Sequence, residues 1–248
     1  SRSYKAPRAV DLMPRRFVAL DNTPTTPNLQ GNPTLRPELA WGVDLAYEHA
    51  LPRRLGSVDI NVTARRIRDV ILDQLSLDQG AWVSSKANAG SARVLGVAVA
   101  SRLTLRAAWP EAPDMEVRAS VSRNGSAVDG VPGPNNRLDS QIPMSANLGV
   151  DWRLAGMPVI AGASLAYRGS LRARTSLTQT TASNASNTLD FYVVWKLTSR
   201  TQLRMAVANA LGPHELSTDT YADADGRFVQ DSDAPAAPTF RLGLELQL

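Results

Sequence analysis

The strongest constraint on this chain is a period-two alternation of large apolar with polar or small residues, held over runs of roughly ten residues. Trp41, Val43, Leu45 and Tyr47 alternate with Gly42, Asp44, Ala46 and Glu48. Leu189, Phe191, Val193 and Trp195 alternate with Asp190, Tyr192, Val194 and Lys196. Successive side chains of a strand point to opposite faces, so each run reads as a strand with one greasy and one polar side. Ten such runs span the chain: 1–6 (the tail of a strand), 41–48, 57–71, 92–105, 115–122, 144–154, 159–167, 189–197, 203–207 and 240–248. In the third, the alternation falters at Arg66-Ile67, which marks either a bulge or the exit from the apolar zone.

The connections alternate long and short. Residues 7–39, 72–91, 124–143, 171–186 and 212–239 are long; 49–56, 106–114, Gly156-Met157-Pro158 and Ser199-Arg200 are short. Between antiparallel neighbours this places every long loop at one end and every short turn at the other. Strands in soluble proteins have a mode of about 5–6 residues, well below these runs. The pattern predicts an all-β fold: an antiparallel up-and-down transmembrane β-barrel wall of about ten strands. A soluble all-β sandwich acting as a binding module uses the same alternation, but strand length and one-sided loops favour the barrel. A ten-stranded outer-membrane barrel standing alone, as an enzyme or a porin, would need a full first strand, and 1–6 is too short for one.

Energetics predicts which face meets lipid. A basic side chain facing hydrocarbon at the membrane midplane costs about 2–4 kcal/mol. Asp44, Asp59, Arg65, Arg102, Glu116, Arg118, Asp151, Arg153, Asp190, Lys196, Arg204 and Glu245 are therefore expected to face a watery lumen, and all fall opposite the large apolar residues. Trp41, Tyr47, Trp152, Tyr167 and Trp195 sit on the apolar face toward strand ends, where an interfacial aromatic girdle is expected.

Chemical signals are sparse. There is no cysteine, so no disulfide frame and no thiolate metal site. The net charge is +4, without a basic run interleaved with aromatics that would suggest nucleic acid. No run of about 20 apolar residues marks a transmembrane helix. His49 and His214 fall in a short turn and a long loop, which this topology puts at opposite ends, so no histidine dyad or shared metal site is expected. No nucleophile elbow, P-loop or zinc-binding histidine pair occurs. Asp223-Ala224-Asp225-Gly226 resembles part of a calcium loop, but Tyr221 stands where the first carboxylate belongs, which favours a solvated acidic loop. Arg15-Arg16 is either a contact for an anionic ligand or a generic exposed pair. Arg65, Arg102, Arg118, Arg153 and Arg168 either line a ligand path or pair with acidic neighbours, and a barrel interior must be polar in both cases.

Four motifs carry a family resemblance. Gly31-Asn32-Pro33-Thr34-Leu35-Arg36-Pro37-Glu38, running into an alternating strand, resembles the C-terminal half of TonB-dependent outer-membrane receptors. Ser3-Tyr4-Lys5-Ala6-Pro7 resembles the strand end that precedes that motif. Asn88-Ala89-Gly90-Ser91-Ala92-Arg93 resembles the family's re-entry into the next strand, and Asn209-Ala210-Leu211 its penultimate-strand ending. The family usually ends in Phe or Trp, whereas this chain ends in Leu248.

The resemblance implies that residues 1–248 are the C-terminal portion of a plugged barrel of about 22 strands, with the plug, the first strands and a secretion signal upstream. It implies location in the bacterial outer membrane, surrounded by its lipid, as a monomer. It further implies transport rather than catalysis, no cofactor, and uptake of a scarce ligand, commonly a ferric siderophore and sometimes cobalamin or a sugar. The TonB–ExbB–ExbD complex would act through the plug.

Overall fold

The computed structural model describes residues 1–139 and 141–246. In chain order the elements are β1 (Arg2–Lys5), α1 (Ala9–Leu12), β2 (Arg16–Phe17), β3 (Asn28–Gln30), β4 (Glu38–Leu51), β5 (Gly56–Arg68), β6 (Ile71–Asp78), β7 (Ala81–Asn88), β8 (Ser91–Thr104), α2 (Leu105–Ala108) and β9 (Asp114–Val128). Then follow β10 (Met144–Arg153), β11 (Val159–Arg168), β12 (Leu171–Arg174), β13 (Gln179–Ser183), β14 (Ser186–Lys196), β15 (Thr201–Ala208), β16 (His214–Ala222), β17 (Arg227–Pro235) and β18 (Thr239–Leu246).

The ten alternating runs form one ten-stranded sheet in the order β1-β4-β5-β8-β9-β10-β11-β14-β15-β18. Every neighbouring pair is antiparallel. All long connections leave from one end of this wall and all short ones from the other. The sheet does not close, and β1 and β18 are its two edges.

The large apolar side chains lie on the open face and are not packed into a protein interior. Trp41 is 58%, Leu148 46% and Leu244 60% exposed. In β8 the alternation is strict: Arg93, Leu95, Val97 and Val99 are exposed, while Val94, Gly96, Ala98 and Ala100 are half-buried on the other side. A soluble sandwich would bury the first set. The wall instead presents its apolar side outward.

Several sequence expectations need correction. The long connections are not structureless: they carry β2, β3, β6, β7, β12, β13, β16 and β17. These pair into two four-stranded sheets, β2-β3-β7-β6 and β12-β13-β16-β17, above the rim. Pairing satisfies backbone groups that a long packed loop would leave without partners. β4 runs on to Leu51, so His49 is a strand residue stacked on Tyr47, with ring centroids 6.2 Å apart, and is not in a turn. β9 continues to Val128 because it follows β8 in register as far as Ala92. Leu105 opens the single turn α2 and does not end a strand. The expected end of the last strand at Leu248 lies outside the described residues.

There is no bulge at Arg66-Ile67. β5 and β8 stay in register from Gly56↔Leu103 to Arg68↔Ser91. What changes there is the environment. Val70, Leu72, Ala92, Val128 and Val131 form a small buried cluster at the loop end, with Ile67 packed against it, while Arg66 and Arg68 point to the exposed side. Above the apolar belt the sidedness inverts, apolar inward and cationic outward.

Candidate functional site

The mouth of the wall is stitched together by two of the sequence motifs. Gly31 passes so close to Met13 that a Cβ would lie 2.1 Å from the Met13 carbonyl oxygen. Asn32 accepts from the Thr34 amide (3.0 Å) and hydroxyl (2.6 Å), and its Nδ2 donates to the Lys86 carbonyl (3.0 Å). Pro33 and Pro37 keep the loop extended, without donors to satisfy. Leu35 is buried. Asn88 then clamps both sides of Arg36: it accepts from the Arg36 amide (2.9 Å) and donates to the Arg36 carbonyl (3.0 Å) and the Asp69 carbonyl (2.8 Å). Arg36 pairs with Asp69 at 2.6 Å, and Glu38 takes the Ile71 amide at 2.8 Å. The first and second long connections are thereby held as one unit.

Between the two loop sheets lies a cavity of about 300 Å³, lined among others by Thr25, Asp73, Asp139, Thr181, Asp219 and Tyr221. Its walls offer hydroxyls and carboxylates. Asp73 is engaged by Lys86 at 2.6 Å. The Trp82 and Tyr221 rings meet edge to face, 5.1 Å apart, and tie the sheets together. Tyr221 is buried, and its hydroxyl donates to Asp223 at 2.6 Å. That bond raises the Tyr221 phenol above its ordinary range, helped by burial. It also holds the Asp223 carboxyl below its ordinary range, with the Asp225 and Gly226 amides adding to the effect.

Below the mouth, the polar face carries a ladder of charges across the wall. Arg102 reaches Glu116 at 3.4 Å, Glu116 lies 3.8 Å from Arg118, and Arg118 pairs with Asp151. Tyr192 donates to the same Asp151 from β14, and the Arg204 guanidinium lies 5.3 Å from the Tyr192 ring centre. The intervening strand β11 permits this reach by presenting Gly162, where a Cβ would lie 2.2 Å from the Tyr192 ring. A glycine there lets one aromatic lie flat across a strand. On the same face, between this ladder and the mouth, a groove of about 560 Å³ is bordered by Asp59, Arg102, Arg118 and Asn147.

The structure brings Arg102 and Arg118 together around Glu116 and separates the other arginines singled out from sequence. Arg65 pairs with Asp44 (3.3 Å), Arg153 with Asp114 (3.4 Å) and Arg168 with Glu215 (3.3 Å), joining Arg102 and Arg118 in having carboxylate partners. Arg16 bonds Gln30 and Asp78, and Arg15 stacks over Phe17 at 5.4 Å; neither borders the mouth cavity. Asp223 is the pivot of a hairpin tip, accepting from the Asp225 (2.9 Å) and Gly226 (3.0 Å) amides. His214 bonds Asp233 at 3.0 Å in the loop sheet, far along the fold from His49. Trp41, Tyr47, Trp152 and Trp195 are exposed on the apolar face, and Tyr167 is half-exposed there.

Sequence reasoning missed Trp82 and Asp73 at the mouth, and met Tyr221 and Asp219 only as parts of a solvated acidic loop. One signal was present: Asp78-Gln79-Gly80 between apolar runs is a hairpin turn, and Gln79 (φ 51°) and Gly80 (φ 82°) take the positive angles it requires.

The family described as TonB dependent receptor-like, beta-barrel matches residues 1–210. No curated protein sequence matches significantly. Similar solved structures include the copper transporter OprC, at 13% identity and a TM-score of 0.67, covering 100% of this chain and 36% of that one. They also include a mutant of the ferric enterobactin receptor PfeA from Pseudomonas aeruginosa in complex with enterobactin, at 15% identity and 0.64, covering 99% and 37%. A third is the FrpB iron transporter from Neisseria meningitidis, at 13% identity and 0.57, covering 88% and 31%. At these identities the likeness establishes the fold, and the chain spans roughly a third of the length of each neighbour. The family's proteins are outer-membrane transporters and not enzymes. An outward apolar wall with one-sided loop sheets, and a family match over most of the sequence, lead to one conclusion: this chain belongs to the TonB-dependent receptor β-barrel family.

Proposed function

We propose that this chain is the C-terminal wall and external mouth of a receptor for TonB-driven uptake of a scarce ligand across the bacterial outer membrane. The observation that carries the reading is the placement of the cavity between the loop sheets. It opens at the long-connection end, directly above a wall that is charged on one side and apolar on the other. A ligand caught there sits over the lumen, and the wall's polar side provides the surface it would travel along. Further strands between β1 and β18 would close the barrel to about 22. An upstream plug would fill it and link it to the TonB–ExbB–ExbD complex. Arg15 and Arg16 on the first loop, and Arg65, Arg102, Arg118, Arg153 and Arg168 on the lumen face, are the cations a ligand would meet. Trp41, Tyr47, Trp152, Tyr167 and Trp195 are the interfacial anchors in membrane lipid.

For the ligand we favour a ferric siderophore. Two of the three neighbours described above are named for iron or enterobactin. Copper itself prefers nitrogen and sulfur ligands, whereas the cavity offers oxygen atoms from Asp and Thr side chains. That same lining favours a second reading, a polyhydroxylated sugar that hydrogen-bonds carboxylates and hydroxyls.

Growth decides. The whole receptor, expressed in a receptor-deleted strain, should restore growth on one ferric siderophore of a panel and fail on copper, cobalamin and sugars. Asp219→Ala and Tyr221→Ala should weaken that growth. Rescue on a sugar alone supports the second reading, and no rescue on any ligand overturns transport.

A further inference from the structure

The outward face of β1, β4, β5, β8 and β9 carries charges that neither transport nor the lumen uses. Residues directly opposite one another across antiparallel strands share a face. Arg2↔Trp41, Trp41↔Arg66, Arg66↔Arg93 and Arg93↔Ala127 are such partners, so one row across five strands reads Arg, Trp, Arg, Arg, Ala. The next row toward the loops holds Tyr4, Leu39, Arg68 and Ser91. Two rows toward the short turns, Arg123 stands opposite Val97 and Met144. All of these arginines are exposed. The row of Arg2, Arg66 and Arg93 sits at the loop-side border of the apolar belt formed by Val43, Leu45, Leu95 and Val97.

Arg66 and Arg93 face each other directly. Like charges so placed across a strand pair are destabilising. Among the described residues, Asp129 is the carboxylate within reach: it lies 3.5 Å from Arg93 and accepts from Ser91 Oγ at 2.6 Å. One carboxylate against Arg66, Arg68 and Arg93 leaves this patch strongly cationic. Immediately below it runs an open groove of about 670 Å³ between Trp41, Val43 and Leu95, with Ala64, Gly125 and Ala127 on its floor and Arg66 and Arg93 at its head. A Cβ at Gly125 would meet nothing within 4 Å, so the floor is open to a guest. An apolar trough ending in two guanidiniums has the shape and charge of an acyl chain joined to a phosphate.

We propose that this outer rim binds a phosphorylated, acylated lipid of the outer leaflet. The Arg66 and Arg93 guanidiniums hold its phosphate, Arg68 flanks it on the loop side, and its acyl chain lies along Trp41, Val43 and Leu95. The guest's phosphate relieves the repulsion between the paired arginines. The Trp41 indole, 5.5 Å from Arg2, closes the side of the trough nearest β1. The inference rests on the reading that the apolar face meets lipid.

The test uses the whole receptor in neutral detergent with diphosphoryl lipid A as probe. Native mass spectrometry should show bound lipid A, and titration should show that the double variant Arg66→Gln/Arg93→Gln binds at least about tenfold more weakly. Arg200→Gln, in a short turn at the opposite rim, should bind as the parent does. Inorganic phosphate should neither bind nor compete; competition by it would mean a free-anion site and overturn the lipid assignment. Equal binding by parent and double variant, or no binding by a folded parent, overturns the proposal. If the double variant fails to fold, Arg93→Gln alone reads the same loss at smaller size, and an unchanged affinity there also overturns it. Failure of the lipid-facing reading itself would show separately, as equal membrane assembly of variants with arginine on either face of β18.

Discussion

At the scale of single residues, the mouth depends on side chains that satisfy backbone groups of distant segments. Asn88 serves Arg36 and Asp69 from three directions, which is why the asparagine amide, with donors and an acceptor on one planar group, suits the position. Tyr221 and Asp223 make a local device instead, at the hairpin tip. Asp223 sits below its usual value of 3.8, so its stabilisation of the tip is complete above that value and is lost as pH falls through the lowered one. Tyr221 sits above its usual value of 10.0, first because it donates to Asp223. Asp223→Asn should therefore bring the Tyr221 ionisation back toward its usual range. Alkaline absorbance titration, with Tyr221→Phe identifying the increment that belongs to Tyr221, measures this. An increment that stays in place in the Asn variant would show that the bond is not made.

At the scale of elements, each wall strand works through its two faces. β18 shows the case most clearly. Phe240, Leu242, Leu244 and Leu246 project from one side, between 60% and 78% exposed. Gly243 points the other way, where an added Cβ meets nothing within 4 Å. Leu244→Arg should cost about 2–4 kcal/mol of folding free energy in lipid if it sits near the midplane, and Gly243→Arg far less. Urea unfolding of the receptor in vesicles reads both; equal losses would contradict the face assignment. The loop hairpins follow a different rule. β6 and β7 pair from Ile71↔Asn88 to Asp78↔Ala81 with a two-residue turn, and their stability comes from the cluster beneath them and from the Trp82–Tyr221 contact.

At the scale of the whole molecule, the wall is an open sheet. β1 offers four residues against β4, and β18 has a neighbour on one side, β15. Unpaired edges seek partners. Residues 1–248 refolded alone in detergent should form mixed oligomers, and refolding together with the upstream half of the receptor should give a single monomeric species. Light scattering after size-exclusion chromatography distinguishes them, and a clean monomer of 1–248 alone would mean that the edges are satisfied within this chain. The change of sidedness at the rim also belongs to this scale. Arg66 and Arg93 point outward only where Ile67, Ala92 and Val128 turn inward to a small core.

Alternation, a local property of neighbouring residues, was enough to mark out ten strands, their antiparallel order, the outward face and the side bearing the loops. Trp41-Gly42-Val43-Asp44 says which way each side chain points whatever surrounds the strand. The loop sheets, the mouth cavity and the ladder from Arg102 to Arg204 were decided by tertiary structure alone. They join residues far apart in the chain, such as Trp82 with Tyr221 and Asp151 with Tyr192. No local periodicity encodes a partner that arrives from another strand, and only the lateral assembly of strands and loop sheets brings those side chains within bonding distance.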